Sequence, residues 1–145
     1  MTRTNTILLV EDNPDDEELT LRAFRKSKMM NDIVVVHDGL QALDYLFSSG
    51  AHADREPGMP TVMLLDLKLP KLNGLEVLRR MRADERTRRV PVVVLTSSNE
   101  ERDILSSYDL GANSFVRKPV DFAQFMDAAR ELGMYWMVTK EPPPQ

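Results

Sequence analysis

Five side chains in this sequence have types and placements that could act together on a phosphate. Glu11 and Asp12 are adjacent acids directly after the apolar run 7–10. Asp66 follows the run 62–65, Thr96 follows 92–95, and Lys118 lies just beyond 114–116. Each has an ordinary explanation on its own. Acids favour a helix start, a hydroxyl at a strand end is more often a helix cap than a ligand, and a Lys before a Pro is more often a turn. Together they describe a different chemistry. Two like charges about 4 Å apart repel by about 4 kcal/mol at an effective dielectric of about 20, so clustered carboxylates either hold protons or bind a cation. An oxygen-only set with no His or Cys favours Mg²⁺, which takes one or two carboxylates and keeps waters for a phosphate. With a hydroxyl donor and a fixed ammonium beside the acids, the set reads as a phosphoryl site whose nucleophile is a carboxylate.

The elements that must position these groups are legible in the hydrophobic pattern. Four runs of mostly branched residues, 7–10, 33–36, 62–65 and 92–95, are too short for helices and apolar on both faces, as strands buried in a parallel sheet are. Helical patterns lie between them. Residues 14–28 open with Asn13 as a cap, Pro14 at the first helical position and acids in the first turn, and close on Arg and Lys. Residues 39–47 carry Leu40, Leu43 and Phe47 on one face; 74–83 and 100–110 follow, the latter with Ile104, Leu105 and Tyr108. A weaker fifth strand is expected at 114–116 and a last helix at about 121–138. Five strand–helix alternations imply a doubly wound parallel sheet with helices on both faces. Five units suit a flavodoxin-like α/β fold with strand order 2-1-3-4-5. Ligands in such sheets sit beyond the carboxyl ends of the strands at the switch point between strands 1 and 3, which puts Asp66 beside Glu11 and Asp12. The stretch 48–60 is expected to be a surface loop without chemistry.

Composition sets the outer bounds. The 145 residues suffice for one domain, expected over 1–139 with its core at about 6–138, followed by a proline-rich tail at 140–145. Nineteen basic against twenty-three acidic residues give a net charge of 19 − 23 = −4, which argues against nucleic-acid binding. No apolar run exceeds five residues, so neither a membrane span nor the core of a signal peptide is expected. Cysteine is absent, which rules out disulfides, thiolate metal sites and cysteine nucleophiles, and is compatible with a reducing cytoplasm.

With these residues in place, the chain resembles the receiver domain of two-component response regulators. The resemblance covers about residues 6–138. It rests on Glu11-Asp12, on Asp66 with Pro70 and Gly74 at matching offsets, on Thr96, and on Lys118-Pro119, in the right order and spacing. It implies that Asp66 is the phosphoacceptor. It further implies that Asp12, Asp66 and the backbone carbonyl of Lys68 bind Mg²⁺, with Glu11 acting largely through a water on the metal. Thr96 and Lys118 would contact the phosphoryl oxygens, Phe115 would be the switch aromatic, and the Lys118–Pro119 bond would be cis. Phe115 stands where Tyr is more usual, so only its ring can move. Lys68 and Ser98 occupy positions that the family varies to tune loss of the phosphoryl group. Within the family, the small stand-alone regulators paired with phytochrome kinases are most alike. The grounds are the long loop after the second helix, the segment Leu110-Gly111-Ala112-Asn113-Ser114, and the Tyr135-Trp136 ending.

The expected function is therefore a phosphorylation-driven switch fed by a sensor histidine kinase, with a phytochrome as the candidate partner. It would be no enzyme beyond taking part in its own Mg²⁺-dependent phosphorylation and dephosphorylation. Output would pass through protein contacts or phosphorelay rather than through DNA. The alternative is a receiver-like binding module that ignores phosphate; the intact set Asp12, Asp66, Thr96 and Lys118 argues against it. A haloacid-type phosphatase needs an acid where Lys68 stands, and a flavodoxin needs a hydroxyl-rich phosphate loop where Glu11 and Asp12 stand. In the last helix, Phe122, Phe125, Met126, Ala129, Leu132, Gly133 and Trp136 form one stripe, while Met134, Tyr135 and Val138 fall on the far side. That second face is expected to make a homodimer; a frayed or folded-back last turn is the plainer reading.

Overall fold

Alternate residues of each strand enter different cores, and this division organises the protein. A computed structural model describes residues 6–26, 31–55, 58–96, 106, 108–118 and 122–131. The elements are β1 (Thr6–Val10), α1 (Pro14–Lys26), β2 (Asp32–Val36), α2 (Gly39–Phe47), a 3-10 turn (Gly50–His52), β3 (Val62–Asp66), α3 (Gly74–Ala83), β4 (Val92–Thr96), β5 (Ser114–Arg117) and α4 (Phe122–Glu131). All strand pairs are parallel and the order is β2-β1-β3-β4-β5, the flavodoxin-like arrangement expected. One core gathers Leu8, Val10, Met63, Leu65, Val92 and Val94 under α2 and α3. The other gathers Ile7, Leu9, Val62, Leu64, Val93 and Leu95 under Phe24 of α1 and Phe125 of α4, whose rings meet edge to face at 5.0 Å. β1, β3 and β4 are buried on both faces, as their unbroken apolar runs require. β2 has an equally apolar run but lies at the edge, and Ile33, Val34 and Val35 are only half-buried.

Polar caps start the helices where expected. Asn13 Oδ1 accepts from the N–H groups of Asp15 and Asp16 at 2.9 and 3.1 Å, and Asn73 Oδ1 accepts from Glu76 N at 2.9 Å. Asp38 Oδ1 accepts from Gln41 N, while Gln41 Oε1 accepts from His37 N, so two orphan donors at the start of α2 are satisfied. The expected face of α2 needs correction. Leu40 is exposed, and the buried arc is Ala42, Leu43, Tyr45 and Leu46, with Phe47 at its margin.

The stretch 48–60 is more ordered than a bare loop. Besides the 3-10 turn, Arg55 lies over the Tyr45 ring at 4.0 Å and donates to the carbonyls of Tyr45 and Gly58, both at 2.9 Å. Of the helix expected at 100–110, residues 106, 108 and 109 are helical, Leu110 lies in a turn, and the others fall outside the described residues, as do 132–145 with the dimer stripe and the tail. Tyr108, expected on the apolar face, is exposed.

Candidate functional site

Parallel register brings the acids together. Val10 of β1 is paired with Leu65 of β3, so Glu11 and Asp66 leave neighbouring strands at the same level. Thr96 is paired with Arg117, which sets Lys118 one step beyond the end of β4. The site thus forms at the carboxyl ends of β1, β3 and β5, on the switch point. Glu11 has no exposed surface; its N–H donates to Val36 O at 3.0 Å, and its Oε2 accepts from Asn13 N at 3.3 Å. Asp12 is exposed and forms the open side of the cluster. Asp66 is buried, with Oδ1 accepting from Lys68 N at 3.2 Å. Gly74 opens α3 directly against this segment: a Cβ there would run into the carbonyl oxygen of Asp66 and the Cα of Leu67, so only glycine lets the helix approach.

Lys118 is the hub. Its ammonium lies 2.9 Å from Asp66 Oδ2, 2.7 Å from Glu11 Oε1 and 3.1 Å from Asp16 Oδ2. The contact with Glu11 is an ion pair without hydrogen-bond geometry, and Glu11 Oε1 accepts no hydrogen bond. Burial, reinforced by Asp66, pushes the Glu11 carboxyl from 4.5 up to about 7, although Lys118 pulls it down. Burial alone would depress the Lys118 ammonium; the carboxylates of Glu11 and Asp66 outweigh it and hold the group above its ordinary range.

Three carboxylates therefore hold one cation, and a fourth, Asp12, lies beside two of them. Glu11, Asp12 and Asp66 each offer an oxygen, and the three oxygens lie within 4.8 Å of one another. A hard-donor set with excess negative charge, one buried carboxylate oxygen that accepts no hydrogen bond and one open side fits a small dication such as Mg²⁺. Lys68 is exposed, and its N–H is spent on Asp66. Phe115 is half-buried in β5, with its ring edge-on to Tyr108 at 6.1 Å. Thr96 is placed as the last residue of β4; its side chain, Ser98 and Pro119 fall outside the described residues. Asp16 is the member that sequence reasoning missed, having been assigned only to the helix start. The available signal was directional: helix side chains tilt toward the N-terminus, so an acid in the first turn of α1 leans back over the crevice.

Comparison with known proteins adds the following. Residues 7–130 match the family described as the response regulator receiver domain. A probable methanogenesis regulatory protein, FilR2 of Methanothrix harundinacea, is 40% identical over 131 residues, which is 90% of this chain and 83% of that protein. The structure of the bacteriophytochrome response regulator AtBRR is 52% identical with a TM-score of 0.85, covering 97% of this chain and 99% of that one. The phosphorylated cyanobacterial phytochrome response regulator RcpA is 35% identical with a TM-score of 0.75, and each chain is covered in full, 100%. The Mn²⁺-bound form of response regulator Rcp1 is 31% identical with a TM-score of 0.75, covering 97% of this chain and 99% of that one.

Proposed function

Since this chain belongs to the response regulator receiver domain family, we propose that it is a signalling switch in which Asp66 accepts a phosphoryl group from a sensor histidine kinase. The observation that carries this reading is Lys118, a nearly buried ammonium held between Asp66 and Glu11 at the switch point. A carboxylate oxygen of Asp66 attacks phosphorus in line, a P–O bond forms, and the bond to the donor breaks with the electron pair leaving on the donor. Lys118 turns toward the phosphoryl oxygens as their charge arrives. Asp12, Asp66 and the carbonyl of Lys68 would hold Mg²⁺, assisted by Glu11, and the ion would neutralise charge on the phosphoryl oxygens. Thr96 then moves toward the phosphoryl group and the Phe115 ring follows, altering the surface around β5 and α4. The resemblance to bacteriophytochrome and cyanobacterial phytochrome regulators supports a phytochrome-type kinase as donor, and the cysteine-free sequence is compatible with action in a reducing cytoplasm. Output passes to a partner protein or to the next carrier of a phosphorelay.

Incubation with acetyl phosphate or a candidate kinase domain, followed by intact mass measurement, tests the reading. One phosphoryl group is expected on the parent and none on Asp66→Asn. Equal modification of the Asn variant would move the acceptor elsewhere, and an unmodified parent would favour the phosphate-independent binding module.

A further inference from the structure

The third partner of Lys118 has no part in the scheme above. Asp16 sits in the first turn of α1 and reaches Lys118 across 102 residues of sequence, with its Oδ2 accepting from Nζ at 3.1 Å. Among the described residues Lys118 is its only ion-pair partner. An ammonium has three protons, and here three carboxylates lie within 3.1 Å of it. Asp16 and Asp66 accept two of its protons and Glu11 Oε1 crowds it as an ion pair at 2.7 Å, so a phosphoryl oxygen must draw Lys118 against the pull of these acids. Glu11 is fully enclosed and tethered through Oε2 to the N–H of Asn13. Asp66 is the group being modified: once its oxygen bonds to phosphorus it loses its negative charge, and its hold on the ammonium weakens. Asp16 remains fully charged. Its side chain is 31% exposed against 8% for Lys118, so it stands at the rim that an incoming phosphodonor must pass.

Resting on the reading of Asp66 as phosphoacceptor, we propose that Asp16 is a positioning residue that competes with the phosphoryl group for the Lys118 ammonium. In the resting protein it holds Lys118 toward the rim. During transfer it opposes both the approach of an anionic donor and the turn of Lys118 onto the new oxygens. It thereby sets a low rate of phosphorylation and a short-lived product.

The test uses the full chain with Mg²⁺ and acetyl phosphate, in the parent, Asp16→Asn and Asp16→Glu. The Asn variant is expected to be phosphorylated about fivefold faster, the equivalent of about 1 kcal/mol. The gain should appear as a lower apparent KM for the donor, and loss of the phosphoryl group should slow. Asp16→Glu should behave as the parent. A merely structural Asp16 would leave the KM alone and would not separate Asn from Glu. A second arm needs no phosphate: ¹⁵N NMR of the Lys118 ammonium should show its protons exchanging several-fold faster in Asp16→Asn. An ammonium signal indifferent to the substitution overturns the inference by itself, as does equal or slower phosphorylation of the Asn variant. A parent that takes no phosphoryl group on Asp66, with an ammonium signal that does respond, condemns the phosphoacceptor reading and leaves the grip of Asp16 on Lys118 standing.

Discussion

Glu11 is an acid sealed from water with one oxygen that accepts no hydrogen bond. Burial first, and Asp66 second, hold its carboxyl at about 7 instead of 4.5, with Lys118 opposing. A folded-state pKa above the unfolded value means that the native protein keeps the proton more tightly. The stability it contributes is complete below pH 4.5 and is lost as pH rises through 7. In chelator, the urea midpoint of the parent should therefore fall across that window, and Glu11→Gln should remove most of the fall. A variant with the slope of the parent would place the titration on another group. Asp12 has the opposite character, exposed and adding repulsion to the cluster. Asp12→Ala should abolish the heat of Mg²⁺ binding in a calorimetric titration and unfold no more easily than the parent in EDTA; undiminished binding would remove Asp12 from the ligand set. Glu11, Asp12, Asp66 and Lys118 were legible because each follows an apolar run whose end marks a strand end. Asp16 was not, because an acid at N3 satisfies the helix dipole and no one-dimensional pattern tells it from one that also reaches another strand.

At the level of elements, α3 is tied to the sheet by a side chain whose role the sequence conceals. Arg82 donates to the carbonyls of Gly111, Arg88 and Val90 and to Asn113 Oδ1, at 2.8–3.0 Å. These groups flank the entries to β4 and β5, and no carboxylate is among them. Hydrogen bonds to a charged group contribute about 1.5–3 kcal/mol, and carbonyls left without a donor add to the loss. Arg82→Met keeps much of the stem and removes the donors. It should cost about 2 kcal/mol or more in urea unfolding while leaving Mg²⁺ binding intact, and a loss within measurement error would show that water replaces the guanidinium. Arg82 and Arg55 both read in sequence as solvated surface, which is why the brace over Tyr45 was equally invisible. Four of the five strands were legible from four-residue apolar runs, and β5 from a weaker stretch. The order 2-1-3-4-5 placed β2 at the edge, although its run matches the central ones and does not itself record the half-burial of Ile33, Val34 and Val35. Leu40 misled for a related reason: Leu40, Leu43 and Phe47 satisfy helical spacing, but the face that meets the sheet is centred on Ala42, Leu43 and Leu46.

For the molecule as a whole, the described structure buries Phe125 and Met126 of the expected inner stripe in the second core, together with Ala128, which the stripe did not include. Met134, Tyr135 and Val138 lie beyond the described residues, and the sequence pattern alone assigns them to a second apolar face. An apolar set of this kind suits a second copy of the chain, and burying Tyr135 would contribute about 4 kcal/mol before association costs. Light scattering is expected to give twice the 16.6 kDa chain mass, and Tyr135→Glu with Val138→Glu a folded monomer still phosphorylated on Asp66. A parent that is monomeric at high concentration would overturn the expected homodimer. One last consequence concerns time. Lys118 meets Asp66 across 52 residues and Asp16 across 102, and no local contact stands in for either. During synthesis β1, β3 and α1 emerge with all four acids well before the lone cation leaves the ribosome. Until β5 adds to β4, the half-built crevice carries the repulsion of these acids without the ammonium that offsets it. Completion of the last strand is then also the step that balances the charge of the crevice: a chain that has not finished folding holds the acids without their cation.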